Sequence, residues 1–268
     1  MTAATSAGEL LVADSFRVRI DDASGRAEVR GFPLHLDRFR AGVVEAIGGA
    51  EAENAVGTDW FERVCDPFLA STPERISRGG AGFPRLELRT DRELEARRDA
   101  APFALDLRVR PLPALGRRVD LVSAAFENAR TPWVKGPNLA RHTALNRTIG
   151  AEALLLGDAG EALEGATTAI VWWDDGALCV VESPSRVASV CEALITVIAE
   201  HAGVAVHRAT IAPAQLAAHE VWALNALHGI RPVRTIDGVA LRTPERARLA
   251  QYRRALEATW HPVLGEEF

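Results

Sequence analysis

Toward the end of residues 10–20, Leu-Leu-Val-Ala-Asp-Ser-Phe-Arg-Val-Arg-Ile, apolar and polar side chains alternate. A period of two sends successive side chains to opposite faces, so the stretch reads as a β-strand. Asp21 to Gly25 supply a turn, and residues 26–32 read as the strand that returns from it. The period then changes. Leu36, Phe39, Val43, Val44 and Ile47 fall at the spacing of one helical face, stopped by Gly48-Gly49. Residues 58–70 predict a second helix, capped by Thr58 or Asp59, with Trp60, Val64, Phe68 and Leu69 as its apolar stripe. A polar loop at 77–82 leads to strands at 83–89 and 103–110. The first part of the chain is therefore an α+β unit, β-β-α-α-β-β.

Pro111, Pro113, Pro132 and Pro137 punctuate a stretch with little periodicity. Residues 126–134 read as a connection between a small domain, 1–125, and a larger one, 135–268. The larger part opens with a helix at 138–149, for which Asn138 is placed as N-cap. Strands follow at 152–157, 168–173 and 177–182, the last two joined by an Asp174-Asp175-Gly176 turn. A helix at 187–202 ends at Gly203. Strands at 204–210, 220–225 and 230–236 come next, with a short helix at 213–218 and a final amphipathic helix at 243–258.

Composition narrows the class. A chain of 268 residues, 48% hydrophobic and 25% charged, is long enough for a sizeable core and has the balance of a soluble globular protein. A net charge of −5 with scattered arginines argues against a nucleic-acid binder. Cys65, Cys179 and Cys191 show neither metal-ligand spacing nor an even count, which predicts reduced thiols in the cytoplasm and no metal site. Met1 to Glu9 has no basic start or apolar core, so no secretory signal is read there, and no apolar run reaches membrane-spanning length.

One residue stands out from this background. Lys135 is the only lysine, so 30 of the 31 Lys and Arg residues are arginine. Both side chains carry positive charge in water, but only a primary amine can lose its proton in a dry pocket and condense with a carbonyl. The lone lysine is thus the candidate Schiff-base residue, although an arginine-biased composition will also leave a straggler by chance.

Four stretches occur in order around it: His35-Leu36-Asp37-Arg38-Phe39, Lys135-Gly136-Pro137-Asn138, Glu164-Gly165-Ala166-Thr167-Thr168, and Asn225-Ala226-Leu227-His228-Gly229-Ile230-Arg231-Pro232-Val233. Together, from about Val12 to Val233, they resemble the class IV aminotransferases. That family includes branched-chain and D-amino-acid aminotransferases and 4-amino-4-deoxychorismate lyase. The resemblance implies a fold-type-IV enzyme with a small N-terminal α/β domain and a larger pseudo-barrel domain. It also implies a pyridoxal 5'-phosphate cofactor and a small-molecule amino substrate, in a homodimer without nucleic acid or membrane partners.

Roles are carried over residue by residue. Lys135 would form the internal aldimine and shuttle the substrate proton. Glu164 would keep the pyridine nitrogen protonated. Arg38 would clamp the phosphate with its guanidinium fork. Ser189, Val190 and Cys191, opening the long helix, would hold the same phosphate mainly through main-chain N–H groups, since Cys191 stands where the family has a threonine. Asn225 and Ala226 would lie beside phosphate and substrate. Ala226, Leu227 and His228 would line the substrate side, and Ser15 would approach it from the first strand.

The chain also departs from the family. Ala169 replaces an expected asparagine, the usual Tyr-Gly-Asp-Gly stretch is absent, and the single tyrosine, Tyr252, lies in the C-terminal helix. Transamination and pyruvate elimination from aminodeoxychorismate would use the same residues, and both stay open. A reading from another class is a non-catalytic descendant that keeps the fold to bind a small molecule or a protein partner.

Overall fold

The computed structural model describes residues 8–48, 60–91, 94, 102–125 and 131–264. The chain divides into two compact units. The first comprises Met1–Pro113, Val134–Pro137 and His261–Phe268, and the second Ala114–Trp133 and Asn138–Trp260.

The first unit is built on an antiparallel sheet in which β1 (Leu10–Ser15) pairs with β4 (Arg85–Thr90), and β4 pairs with β5 (Phe103–Arg108). The register sets Asp14 opposite Leu86 and Leu86 opposite Leu107, and sets Ser15 opposite Arg85 and Arg85 opposite Arg108. One face is therefore apolar and covered by helix α1 (Phe32–Gly48), through Phe39 and Val43. The opposite face is rich in arginine. Gly42 on α1 lies so close to the sheet that an added Cβ would come within 2.9 Å of Val12.

The expected strand over 10–20 is two strands. Phe16 is fully buried against the rings of Phe32 and His35, which turns the chain out of the β1 ladder. A separate β2 (Val18–Ile20) then pairs with β3 (Ala27–Arg30) across the expected Asp21–Gly25 turn. The Thr58 or Asp59 cap lies outside the described residues. The second helix is a π-helical turn, Phe61–Cys65, continuing into α2 (Asp66–Gly79). It runs through Ser77 to Gly79, read from sequence as loop, because burial of Leu69, Thr72 and Ile76 carries the helical stripe to its last turn. Gly80, at φ +71°, then ends it.

The second unit holds a nine-stranded sheet. Its order is β11 (Val206–Ala209), β10 (Ala177–Val181), β9 (Ala169–Asp174), β12 (Glu220–Asn225), β13 (Gly229–Ile236), β6 (Val119–Ala125), β7 (Glu152–Leu156) and β8 (Ala162–Gly165). The short β14 (Val239–Ala240) pairs with β13. Both faces of the central strands are buried. Ile170, Trp172, Val221 and Ala223 join Leu121, Leu154 and Val233 in one core. Val171, Trp173, Trp222 and Leu224 pack instead with α4 (Val190–His201) and α6 (Arg246–Glu257). The sheet curls until its ends meet: Ala162 N–H on the last strand donates to Ile211 O, just beyond the first, at 2.8 Å. That closure gives the unit its half-barrel. The β9–β10 hairpin forms as its Asp-Gly pair demands, with both Asp175 and Gly176 at positive φ.

Of the connection expected at 126–134, residues 126–130 lie outside the described residues. Residues 119–125 are a strand inside the second unit, parallel to both β13 and β7, so the chain leaves the first unit at Pro113, ahead of the expected boundary. The sequence Val-Asp-Leu-Val-Ser-Ala-Ala alternates weakly, and burial of Val119 and Leu121 comes from flanking strands rather than local pattern. Lys135, expected at the start of the larger domain, belongs with Val134–Pro137 to the first unit. The helices after it run close to their expected spans, as α3 (Leu139–Ile149), α4, α5 (Pro213–Leu216) and α6. Asn138 does occupy the N-cap position of α3, but its side chain makes no capping bond there.

Candidate functional site

In the first unit, everything near the lysine is organised by β1. This strand pairs with β4 along one side only, and its other edge takes the lysine segment: Ala13 N–H donates to Lys135 O at 2.7 Å. Val134 is buried beside Gly42, and the Lys135 side chain is half-buried. The docking is close because residue 136 has no side chain. A Cβ on Gly136, whose φ is +142°, would fall 2.6–2.8 Å from backbone atoms of Val12 and Ala13. We expect Gly136→Ala to cost about 1–3 kcal/mol through strain and backbone displacement. Equilibrium denaturation of the variant checks it, and unchanged stability would disprove the close docking.

Asp14, on the same strand, points the other way, into α1. Its carboxylate is fully buried and accepts from Arg38 Nε at 2.7 Å, Arg38 Nη2 at 2.9 Å and His35 Nδ1 at 2.7 Å. Burial by itself would raise this carboxyl, but the Arg38 and His35 charges and hydrogen bonds outweigh it and hold the group well below the usual carboxylate range. His35 is shifted down, chiefly by burial. Asp14 opposes the shift, while the charges of Arg38 and Lys135 add to it. The contact fixes the tautomer, because a nitrogen 2.7 Å from an ionised carboxylate must carry the proton. His35, at the start of α1, thus bonds a buried carboxylate. The Nε–Nη2 edge of Arg38, expected on a phosphate, is engaged by Asp14. Ser15 accepts from Arg110 Nη2 at 3.0 Å.

In the second unit, Glu164 on β8 lies opposite Leu155 of β7 and accepts the Val187 N–H at 3.3 Å. Val187 is two residues ahead of Ser189, so the predicted carboxylate and the start of α4 are brought together. Ser189 is the N-cap of that helix, and its hydroxyl accepts the Glu192 N–H at 3.2 Å. Glu192 in turn binds Arg186 at 2.8 and 2.6 Å. Val190 is buried in the first turn, and the Cys191 side chain lies in the core that holds Val171 and Ile195.

The Asn225 side chain ties two turns together. Its amide donates to Thr167 O at 3.3 Å, and its oxygen accepts the His228 N–H at 2.8 Å across half-buried Ala226 and Leu227. His228 Nδ1 accepts from Gly116 N–H at 3.2 Å. Tyr252 is far from solvent, edge-on to Trp173 and Trp222.

Two residues were not singled out from sequence. Glu152 opens β7, and its Oε1 accepts from Thr167 N–H, Thr167 Oγ1 and Thr168 Oγ1 at 3.0, 2.8 and 2.9 Å, while Oε2 accepts from Arg231 at 2.8 Å. The pair reaches across β6, from β7 to β13, and fixes the turn after Glu164. Gly165 is required in that turn, since a Cβ there would come within 2.3 Å of Thr168 Oγ1. The available signal was a charged residue set inside an apolar strand, as Arg231 is between Ile230 and Pro232.

A family model described as amino-transferase class IV matches residues 12–236. Among curated proteins, none matches. Solved structures share the fold at low identity. The T.th. branched-chain amino acid aminotransferase complexed with N-(5'-phosphopyridoxyl)-L-glutamate is 17% identical, with a TM-score of 0.75 over 97% of this chain and 90% of that one. The Escherichia coli branched-chain amino acid aminotransferase is 16% identical, with a TM-score of 0.71 over 96% and 87%. A proposed 4-amino-4-deoxychorismate lyase from Legionella pneumophila is 15% identical, with a TM-score of 0.68 over 94% and 91%.

Proposed function

The chain belongs to the class IV aminotransferase family, and from that premise we propose that it is a pyridoxal 5'-phosphate enzyme working on the amino group of a small-molecule substrate. The observation that carries the reading is the mounting of its only lysine. The Lys135 main chain is pinned to the edge of β1 while its side chain stays half-buried, so a single amine is held at a fixed root. The donor set fits the cofactor: a primary amine for the aldehyde, a carboxylate for the ring nitrogen, and a helix start for the phosphate. At the phosphate end, Arg38 and the Ser189 hydroxyl already have partners within the protein. Main-chain N–H groups of Val190 and Cys191 take that part in our reading, with Asn225 holding the neighbouring turns.

When bound, the cofactor supplies an electron sink that stabilises negative charge at the substrate Cα. Lys135 holds it through the amine and moves the Cα proton. Glu164 keeps the ring nitrogen protonated, and its bond from Val187 N–H orients it. In our reading Ala226, Leu227 and His228 are assigned to the substrate, and so is Ser15, as the family resemblance implies. Amino-group exchange is the family's reading. A lyase reading, releasing pyruvate from aminodeoxychorismate, draws support from the Asn225-Ala226-Leu227 wording, which resembles the lyases. Resemblance supports a homodimer, and the three buried free thiols support a reducing cytoplasm.

Purified protein given pyridoxal phosphate should develop a visible absorption band. Reduction with borohydride should then fix a phosphopyridoxyl group on the peptide containing Lys135, detected by mass spectrometry. A protein that takes up no cofactor overturns the proposal in favour of a binding module. Pyruvate release measured against amino exchange with 2-oxoglutarate separates the two reactions.

A further inference from the structure

Two opposite charges sit inside the second unit's sheet. Glu152 is 7% exposed and Arg231 8%, and they bond each other across β6. Apolar side chains of similar volume often serve stability as well as such a pair or better, so stability alone does not account for it. What the pair does hold is the turn at 165–168. All three bonds to Glu152 Oε1 come from that turn, from the Thr167 main-chain N–H and the hydroxyls of Thr167 and Thr168. Oε2 takes Arg231, which bonds no other acceptor among the described residues. Only a carboxylate suits this position. Both of its oxygens accept, whereas an amide would turn an N–H2 group toward donors on one side.

The turn leads straight into Glu164. Gly165 follows that residue, and its carbonyl accepts the Thr168 N–H at 3.1 Å. The Ala166 N–H donates to Ala153 O, beside Glu152, at 2.8 Å. Thr167 is gripped from its other side as well, since its carbonyl accepts from Asn225 Nδ2 at 3.3 Å. One buried carboxylate therefore fixes the segment that aims Glu164 as it leaves β8. We propose that Glu152, with Arg231 as its counter-ion, is a positioning residue that sets the Glu164 carboxylate through the 165–168 turn. This role rests on the proposed function, and adds to it a residue that acts through Glu164 rather than on the cofactor itself.

Amide hydrogen exchange, read residue by residue by NMR on the protein without cofactor, tests the placement of Glu164. Val187 N–H donates to that carboxylate, so its protection reports where the carboxylate stands. Glu152→Gln should speed exchange at Val187 by roughly tenfold, the scale of a lost bond to a charged group, and leave the amides of β9 and β12 unchanged. Arg231→Lys should keep part of the protection that Arg231→Gln loses, since the counter-ion remains. Thr167→Val spares the ion pair and should speed Val187 by roughly threefold, and it decides the matter if Glu152→Gln does not fold. No change at Val187, or an equal rise throughout the sheet, overturns the assignment. The first leaves Glu164 independent of Glu152, and the second is general loss of stability.

A double-mutant cycle carries the test to the cofactor, with pyridoxal phosphate affinity read from the visible band. Glu152→Gln should weaken the cofactor by roughly tenfold in the wild-type background, and by less than about twofold once Glu164→Gln is in place. Equal losses in the two backgrounds overturn the assignment. A band whose affinity ignores Glu152→Gln does so too, and leaves the cofactor reading standing. A protein that takes up no cofactor, yet loses Val187 protection in Glu152→Gln, keeps the placement of Glu164 and removes the cofactor reading.

Discussion

Lys135→Arg will fold normally and lose its turnover. The substitution keeps a positive charge on a stem of similar length, in a chain that already carries 30 arginines. What it removes is the capacity to exist as a neutral amine, because a guanidinium does not lose its proton in a protein. Loss of the proton transfer alone should lower kcat by roughly 10²–10⁴-fold, before the lost covalent attachment is added. Steady-state assay at saturating pyridoxal phosphate measures it, with far-UV circular dichroism as the control for folding. The charge of Lys135 is felt at His35, so a purely electrostatic role is the competing account of it. The arginine variant decides the point, since it preserves charge and abolishes chemistry. Lys135→Ala should regain part of its activity with added methylamine, which returns the amine without the stem. Wild-type turnover in Lys135→Arg would end the proposed mechanism.

Lys135 could be singled out in the sequence because its signal is chemical rather than positional. A residue type used once stands out whatever the fold does. Glu164 and Asn225 were singled out through the wording around them, and the structure adds why that wording folds as it does. Gly165 allows the tight turn, and Asn225 ties it to the turn at 225–229. Glu152 and Arg231 were not legible, because a buried pair joins positions far apart in sequence across an intervening strand. Nothing local to either residue announces the other. The β6 strand was hidden for a similar reason: its small side chains alternate too weakly to signal a strand until β7 and β13 flank it. The break between β1 and β2 was hidden too, since Phe16 obeys the strand period that its own burial interrupts.

Asp14 shows how the first unit couples stability to its chemistry. From sequence it was only the neighbour of Ser15. In the structure it is a buried carboxylate on which His35 and Arg38 both converge. Its own strand carries the lysine segment one residue earlier, at Ala13. Anything that loosens this strand loosens the root of the amine with it. Stability of β1 is therefore a condition for the activity proposed, and not a separate property.

Asp14→Ala should destabilise the protein by about 3–5 kcal/mol, since it removes the buried acceptor that Arg38 and His35 share. Its pH dependence gives the stronger test. Asp14 is held below its ordinary value of 3.8 in the folded protein, so its contribution is complete above that value and is given up as pH falls further. His35 is also held below its ordinary value, 6.5, so the folded state resists protonation that the unfolded chain accepts, and stability declines as pH drops through that region. The Asp14 carboxylate moderates this decline by favouring the charged imidazole. Without it, His35 is depressed further, so the variant loses more stability wherever the folded wild-type His35 would itself take a proton, below 6.5. The gap between wild type and variant should therefore not narrow as pH falls from neutral, and should close below about pH 4, where the unfolded Asp14 takes its proton. Urea denaturation across that range reads the gap directly. A gap that stays constant with pH would show that the carboxylate acts by packing alone.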